Sequence, residues 1–189
     1  AIIADETANP ASVAADMLSQ AEHGKDSQSI VFTTSQALAQ ALVAEIVAQV
    51  AVAPRKDFIK CSLEHSKIFI LDNMDDVVAM SNEYAPEHLI IMCKDYATVA
   101  EQITNAGSVF MGYYTPESAG DYASGTNHTL PTSGYAKAYS GVNLDSYLKK
   151  ITFQEITHDG LQKLGDTIEI MAENEQLMAH KYAVSIRRQ

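Results

Sequence analysis

The sequence has few basic residues and no long apolar run. Its 189 residues include 13 Lys and Arg against 24 Asp and Glu, which gives a formal net charge of −11. Affinity for a phosphate backbone comes from clustered Lys and Arg, so this balance argues against DNA or RNA as a partner. The Ala- and Val-rich stretch from 37 to 52 is the longest apolar segment, but Gln40, Glu45 and Gln49 interrupt it. Because a membrane helix needs ~20 consecutive apolar residues, no membrane association is expected.

Cysteine is also scarce. Cys61 and Cys93 are the two cysteines, and neither belongs to a CxxC pair. Two isolated thiols do not form a disulfide framework, and they argue against a thiolate zinc site. The chain has no basic segment followed by an apolar one at its start, as a secretory signal would have. We therefore expect a cytoplasmic protein with reduced thiols.

What is present is a regular alternation of strand and helix patterns. Apolar, β-branched segments predict strands near 2–4, 29–33, 67–71, 89–92 and 108–111. Helices are predicted between them, the first capped by Asn9 and Pro10 and the second running from Ser35 to Ala53. This alternation is typical of an α/β fold with a parallel, Rossmann-like sheet and helices on both faces. Ligands of such sheets are expected outside the carboxyl ends of the strands.

The last third of the chain departs from this alternation. We predict three regions: an α/β region over 1–111, a glycine-rich active-site loop region over 112–150, and a helical tail over 151–189. The tail is expected to hold helices near 159–172 and 175–187. Because residues 1–5 already read as a buried strand, the chain is expected to be a portion of a longer protein, a processed N-terminus being the alternative.

Reactive side chains concentrate in four places. Gln20 and His23 are three residues apart at a helix end, Glu87 and His88 precede a strand, Asp121 and His128 lie in the glycine-rich loop, and Glu175 and His180 lie in the tail. A solvated helix face or a surface loop is the alternative interpretation of each. Gln20, His23, Asp121 and His180 would make a nitrogen and oxygen site suited to zinc or a similar divalent ion. Spacing alone supports this metal site weakly, since HExxH and paired CxxC motifs are absent.

Five segments together carry a resemblance to a known family: residues 17–24 (MLSQAEHG), 85–89 (APEHL), 107–110 (GSVF), 116–128 (PESAGDYASGTNH) and 179–181 (AHK). They resemble histidinol dehydrogenase, and the similarity runs collinearly from 3 to 187. The family resemblance implies oxidation of L-histidinol to L-histidine through L-histidinaldehyde, with two NAD+ used in sequence, as the last steps of histidine biosynthesis.

The same resemblance implies roles for individual residues. Zinc would be held by Gln20, His23, Asp121 and His180 and would grip the imidazole and amino groups of the substrate. His88 would be the general base of both oxidations, and Glu87 would activate the water that hydrates the aldehyde. His128 and Glu175 would contact the substrate, together with His88 and the four metal ligands. The tail would reach the site of a neighbouring subunit, which implies a homodimer.

Family members are more than twice as long as this chain. The resemblance therefore implies a C-terminal portion that lacks most of the NAD-binding region, so that the NAD-contacting residues are unknown and the chain alone is expected to be inactive. Two alternatives belong to other classes: a zinc hydrolase that uses the same ligand types, and a non-catalytic α/β module that binds a partner through its tail.

Overall fold

The computed structural model describes residues 1–189. Its centre is a five-stranded sheet in the order β3-β2-β1-β4-β5. The strands are β1 (Ile2–Ala4), β2 (Ile30–Thr33), β3 (Lys67–Ile70), β4 (His88–Met92) and β5 (Ser108–Met111). All four neighbouring pairs are parallel, with Ile3 opposite Phe32 on one side and Ile91 on the other. The predicted parallel α/β fold is confirmed, and each predicted strand lies within one residue of the observed bounds.

Eight helices follow the strands or extend the chain beyond them. They are α1 (Pro10–Ala21), α2 (Gln36–Val52), α3 (Lys56–His65), α4 (Met74–Tyr84), α5 (Tyr96–Ala100), α6 (Glu117–Tyr122), α7 (His158–Asn174) and α8 (Met178–Ser185). None of them combines the length and the apolar character needed to cross a membrane.

Helix α1 has a well-defined start and a buried apolar face. The Asn9 side chain accepts a hydrogen bond from the Ala11 amide at 2.9 Å, and Pro10 occupies the first helical position. Both features favour a helix start at this point. The residues Val13, Ala14 and Met17 face the sheet and are buried. The apolar face therefore fixes the rotation of α1 and the direction of its polar residues.

The sheet is covered on both faces, as its apolar strands require. Alternate residues of one strand point to opposite faces. Ile2 and Ala4 accordingly belong to the core cluster that includes residues of α1 and α2. Ile3 belongs to the opposite cluster, with Val77 of α4 and Val99 of α5. This two-sided burial holds the central strands β1 and β4 in place.

Three helical segments differ from the prediction. Helix α3 was not predicted, and α6 forms inside the region 112–150 that was expected to be an irregular loop. The last tail helix begins at Met178 rather than at 175, because Gln176 has a left-handed φ of 61° and interrupts the helical backbone.

The chain divides into two units, residues 1–147 and 148–189. Within the second unit α7 and α8 are joined by charged contacts near the end of the chain. The Arg188 guanidinium lies 2.7 Å from Asp166 and 3.1 Å from Glu169. Glu175 lies at the end of α7 and His180 on α8, on the two sides of the break at Gln176.

Candidate active site

Six of the predicted site residues line a single cavity of about 310 Å³ in the first unit. They are Gln20, His23, Glu87, His88, Asp121 and His128, and Ser27 and Gln28 complete the lining. A larger cavity of about 910 Å³ shares Gln20, Glu87 and His88 with it. Residues from positions more than 100 apart in the sequence are thus brought to one place by the fold.

The cavity lies at the amino ends of the strands, which corrects the expectation of a site at the carboxyl ends. Ser27 and Gln28 precede β2, and Glu87 precedes β4, which begins with His88. Gln20 lies in the last turn of α1, a helix that runs back from the carboxyl end of β1. The site is therefore made from strand starts and helix ends.

A tight turn places Glu87 and His88. Helix α4 ends at Tyr84, the capping residue Ala85 adopts a left-handed φ of 52°, and Pro86 follows. The Gly107 amide donates a hydrogen bond to the Pro86 carbonyl at 2.9 Å. A Cβ atom on Gly107 would lie 2.5 Å from the Glu87 carbonyl oxygen, so no other residue fits without movement. The close approach of the two chain segments explains a glycine at this position.

Helix α6 brings two carboxylates to His88. The Nε2 atom of His88 lies 3.5 Å from Oε1 of Glu117 and 3.9 Å from Oδ1 of Asp121. Glu117 and Asp121 are four residues apart, which places them on the same side of a helix. Donor atoms of these three residues all lie within 4.8 Å of one another, so the group could hold a metal ion.

Glu117 is a site residue that sequence reasoning missed. Its side chain is 3% exposed, and its Oε2 atom accepts a hydrogen bond from Nε2 of Gln20. The signal that could have found it is its four-residue spacing from Asp121, but that spacing has meaning only on a helix. Because the segment was expected to be irregular, the pairing was not predicted.

Burial shifts the pKa values of the acidic and basic groups at the cavity. It lowers the pKa of the His88 imidazole to about 4, against the opposing influence of Asp121. Burial raises the pKa of the Glu117 carboxyl to about 7, and the nearby Asp121 raises it further. The pKa of the Glu87 carboxyl is also raised, chiefly by burial. An uncharged imidazole beside carboxyls of raised pKa is an arrangement suited to proton transfer.

Glu175 and His180, the other two predicted site residues, belong to the second unit. Both side chains are exposed within residues 148–189.

Comparison with known proteins shows the family. Residues 1–188 match the family model described as histidinol dehydrogenase. Histidinol dehydrogenases from Bacteroides fragilis (strain YCH46) and Haemophilus influenzae (strain 86-028NP) are 58% and 52% identical over 186 residues, each match covering 98% of this chain and 44% of the relative. The crystal structure of histidinol dehydrogenase from Elizabethkingia anophelis superposes with a TM-score of 0.93 at 54% identity, covering 98% of this chain and 43% of that one.

This chain thus spans less than half the length of these relatives. The similarity nevertheless extends over almost every residue of it, and the five segments that carried the resemblance lie within the match. The chain belongs to the histidinol dehydrogenase family.

Proposed function

We propose that this chain supplies the metal- and substrate-binding half of a dehydrogenase that oxidises L-histidinol to L-histidine through L-histidinaldehyde, with zinc and NAD+ as cofactors. One observation carries the proposal: the cavity is lined by six residues to which the family resemblance gives zinc-binding, acid–base or substrate-binding roles. The chain alone is expected to show no turnover, since it spans less than half of its relatives.

The donor atoms at the cavity fit a zinc ion. Imidazole nitrogen and carboxylate or amide oxygen are ligands that zinc accepts, and no thiolate is needed. Beside the proposed ligands, His88 Nε2 and Glu117 Oε1 are buried atoms without a hydrogen-bond partner, as expected of a site that takes up a further polar group. We assign Gln20, His23 and Asp121 as ligands, with His180 from a tail as the fourth. A bound zinc ion would act as a Lewis acid that holds the imidazole and amino groups of the substrate and so positions its alcohol carbon for hydride loss.

His88 is proposed as the general base. With its pKa lowered to about 4 by burial, the imidazole is uncharged near neutral pH and can accept the proton of the substrate hydroxyl. Glu87 lines the same cavity and is proposed to take the proton of the water that adds to the aldehyde. Burial raises the pKa of the Glu87 carboxyl toward neutral pH, and a base with a pKa near the working pH transfers protons most effectively.

The geometry also offers a competing role for His88, because His88, Glu117 and Asp121 form the compact group of possible ligands. His88→Asn separates the two roles. The complete enzyme for this test joins the N-terminal portion of the Bacteroides fragilis relative to this chain. We expect turnover of histidinol to fall by about 10²–10⁴-fold, with zinc content measured by mass spectrometry unchanged.

His158→Asn, at an exposed position on α7, is the matched control and should leave both quantities unchanged. A loss of zinc in proportion to the loss of turnover would make His88 a ligand and the assignment wrong. A zinc-containing complete enzyme that hydrolyses esters and never reduces NAD+ would favour the hydrolase alternative. Absence of both metal and turnover would favour the interaction module.

We also propose a homodimer in which the tail completes the site of the neighbouring subunit, with Glu175 on the substrate and His180 on the metal. Complete subunits carrying His23→Ala are mixed with subunits carrying His180→Ala. Each variant alone should be inactive. In a hybrid dimer one site carries both substitutions and the other carries neither, because two-fold symmetry exchanges the tails. Statistical mixing should then restore roughly a quarter of wild-type activity. Persistent inactivity after verified subunit exchange would show that the tail serves its own subunit.

A further inference from the structure

The carboxyl of Glu117 contacts residues in the last turn of α1, including the proposed ligand Gln20. Its carboxyl is buried at the first turn of α6, and its Oε2 atom accepts a hydrogen bond from Nε2 of Gln20. The Ser19 hydroxyl lies 3.4 Å from the same oxygen and is itself held by the Asp16 carbonyl at 2.9 Å. The last turn of α1 is thus connected to α6 through this carboxyl.

The contact with Gln20 has a chemical consequence. A carboxamide offers one acceptor oxygen and one donor NH₂ group, and only the oxygen can bind a cation. When the NH₂ group is engaged by Glu117, the orientation of the carboxamide is fixed and its oxygen remains available. A free carboxamide at the end of a flexible side chain would have to be ordered when the metal binds, at a cost in affinity.

We propose that Glu117 is a positioning residue that orients the carboxamide of Gln20 so that its Oε1 atom serves as the metal ligand. This inference rests on the proposed zinc site. It does not require Glu117 to touch the metal or the substrate: Glu117 acts through Gln20. The 3.5 Å separation between Glu117 and His88 adds no hydrogen bond, whereas the Gln20 carboxamide donates one to the Glu117 carboxyl.

Two substitutions distinguish the effect of the length of the Glu117 side chain from the effect of its charge. Glu117→Gln keeps an acceptor oxygen at the same distance and removes the charge. Glu117→Asp keeps the charge and withdraws the oxygen by one methylene. If Glu117 positions Gln20, Glu117→Asp should weaken zinc binding by about 10- to 100-fold, the range typical of residues that orient metal ligands, and Glu117→Gln should stay closer to wild type.

Zinc affinity is measured by competition with a chelator in the complete enzyme, and the absorption spectrum of the cobalt-substituted enzyme reports the ligand geometry. The same two substitutions at Glu64, an exposed carboxylate on α3, are the matched controls. In a Gln20→Ala background Glu117→Asp should cause no further loss, because contacting residues that act as one unit are not additive.

The outcomes distinguish this inference from the proposed function. If the wild-type enzyme takes up no zinc, the proposed zinc site is wrong, and the positioning role is wrong with it. If it takes up zinc and both Glu117 variants match wild type, the positioning role alone is wrong. The opposite order, with Glu117→Gln damaging and Glu117→Asp harmless, would show that the charge acts directly on the metal. Full additivity with Gln20→Ala would also overturn the inference.

Discussion

A single methyl group added at Gly120 should disturb both the stability of the fold and the geometry of the site. Gly120 lies on α6, directly before Asp121, and is buried. A Cβ atom at this position would lie 2.6 Å from Cε1 and 2.8 Å from Cζ of Phe110. Phe110 is a buried residue of β5 that packs in the core shared with α1 and α2. Gly120→Ala therefore forces either a buried ring or the whole helix α6 to move.

The size of the effect follows from these distances. Ordinary carbon contacts are ~3.5–4.0 Å, so the methyl group is about 1 Å too close to the ring. Overpacking of this kind costs ~1–3 kcal/mol. Replacing glycine by alanine inside a helix stabilises the helix by up to ~1 kcal/mol. This gain is smaller in a helix of only six residues. We expect a net loss of about 1–2 kcal/mol in the free energy of unfolding.

Urea denaturation measures this loss, and zinc affinity of the complete enzyme reports movement of Asp121, a proposed ligand. Gly24→Ala is the matched control for stability: its Cβ would meet Oδ1 of Asp26 at 2.8 Å, the end of an exposed side chain that can rotate away. Phe110→Leu should relieve the clash, so the double variant Phe110→Leu/Gly120→Ala should be less destabilised than the sum of the two. Equal stabilities of the Gly120→Ala and Gly24→Ala variants, or strict additivity with Phe110→Leu, would refute the reasoning.

Two further predictions concern stability away from the cavity. Burial raises the pKa of Asp16 from 3.8 to about 6, so the folded state binds a proton more tightly than the unfolded state and the Asp16 contribution to stability falls as pH rises from about 4 to 6. Asp16→Asn should therefore raise the free energy of unfolding by about 1–2 kcal/mol at pH 7 and change it little at pH 4. An equal increase at both pH values in urea titrations would contradict this. The Asn73 side chain accepts a hydrogen bond from the Asp76 amide at 2.9 Å at the start of α4, so Asn73→Ala should cost ~1 kcal/mol, whereas Asn73→Asp should retain most of the stability by the same assay.

The centre of the sheet could be predicted because strands β1, β2 and β4 are buried on both faces. Such strands are nearly continuous apolar segments, as in Ile2–Ala4 and His88–Met92, and they differ clearly from the mixed sequences of the helices. The strict alternation of strand and helix then indicates parallel pairing. Neither step needs information from distant parts of the chain.

Helix α3 was not predicted, although its sequence carries an amphipathic helical pattern. It follows Pro54 closely, and Ile59 and Ser62 are its buried residues, while its charged residues face solvent. The Ser62 hydroxyl donates to the Ser27 carbonyl at 2.8 Å, which ties the helix to the segment before β2. The position of α3 thus depends on a contact between residues 35 apart, which no local pattern contains.

The candidate site was found from motifs, and its internal contacts were not. Glu117 and Gln20 are 97 residues apart, and their hydrogen bond depends on the relative positions of α1 and α6. Sequence patterns identify residues capable of acid–base or ligand chemistry. Which of them orients another is decided by tertiary packing, as the buried contact between these two residues illustrates.

The position of the cavity at the amino ends of the strands has a structural cause. A helix that follows a parallel strand runs back toward the start of the next strand, so its last turn arrives at the amino edge of the sheet. In this way the end of helix α1 places Gln20, and His23 just after it, beside the first residue of β4. Because β1 and β4 are neighbours at the centre of the sheet, His88 is held by a strand that is buried throughout. Side chains fixed on such rigid elements keep their geometry better than side chains on loops. The amino edge can therefore hold the proposed general base here, although parallel sheets usually bind ligands at the opposite edge.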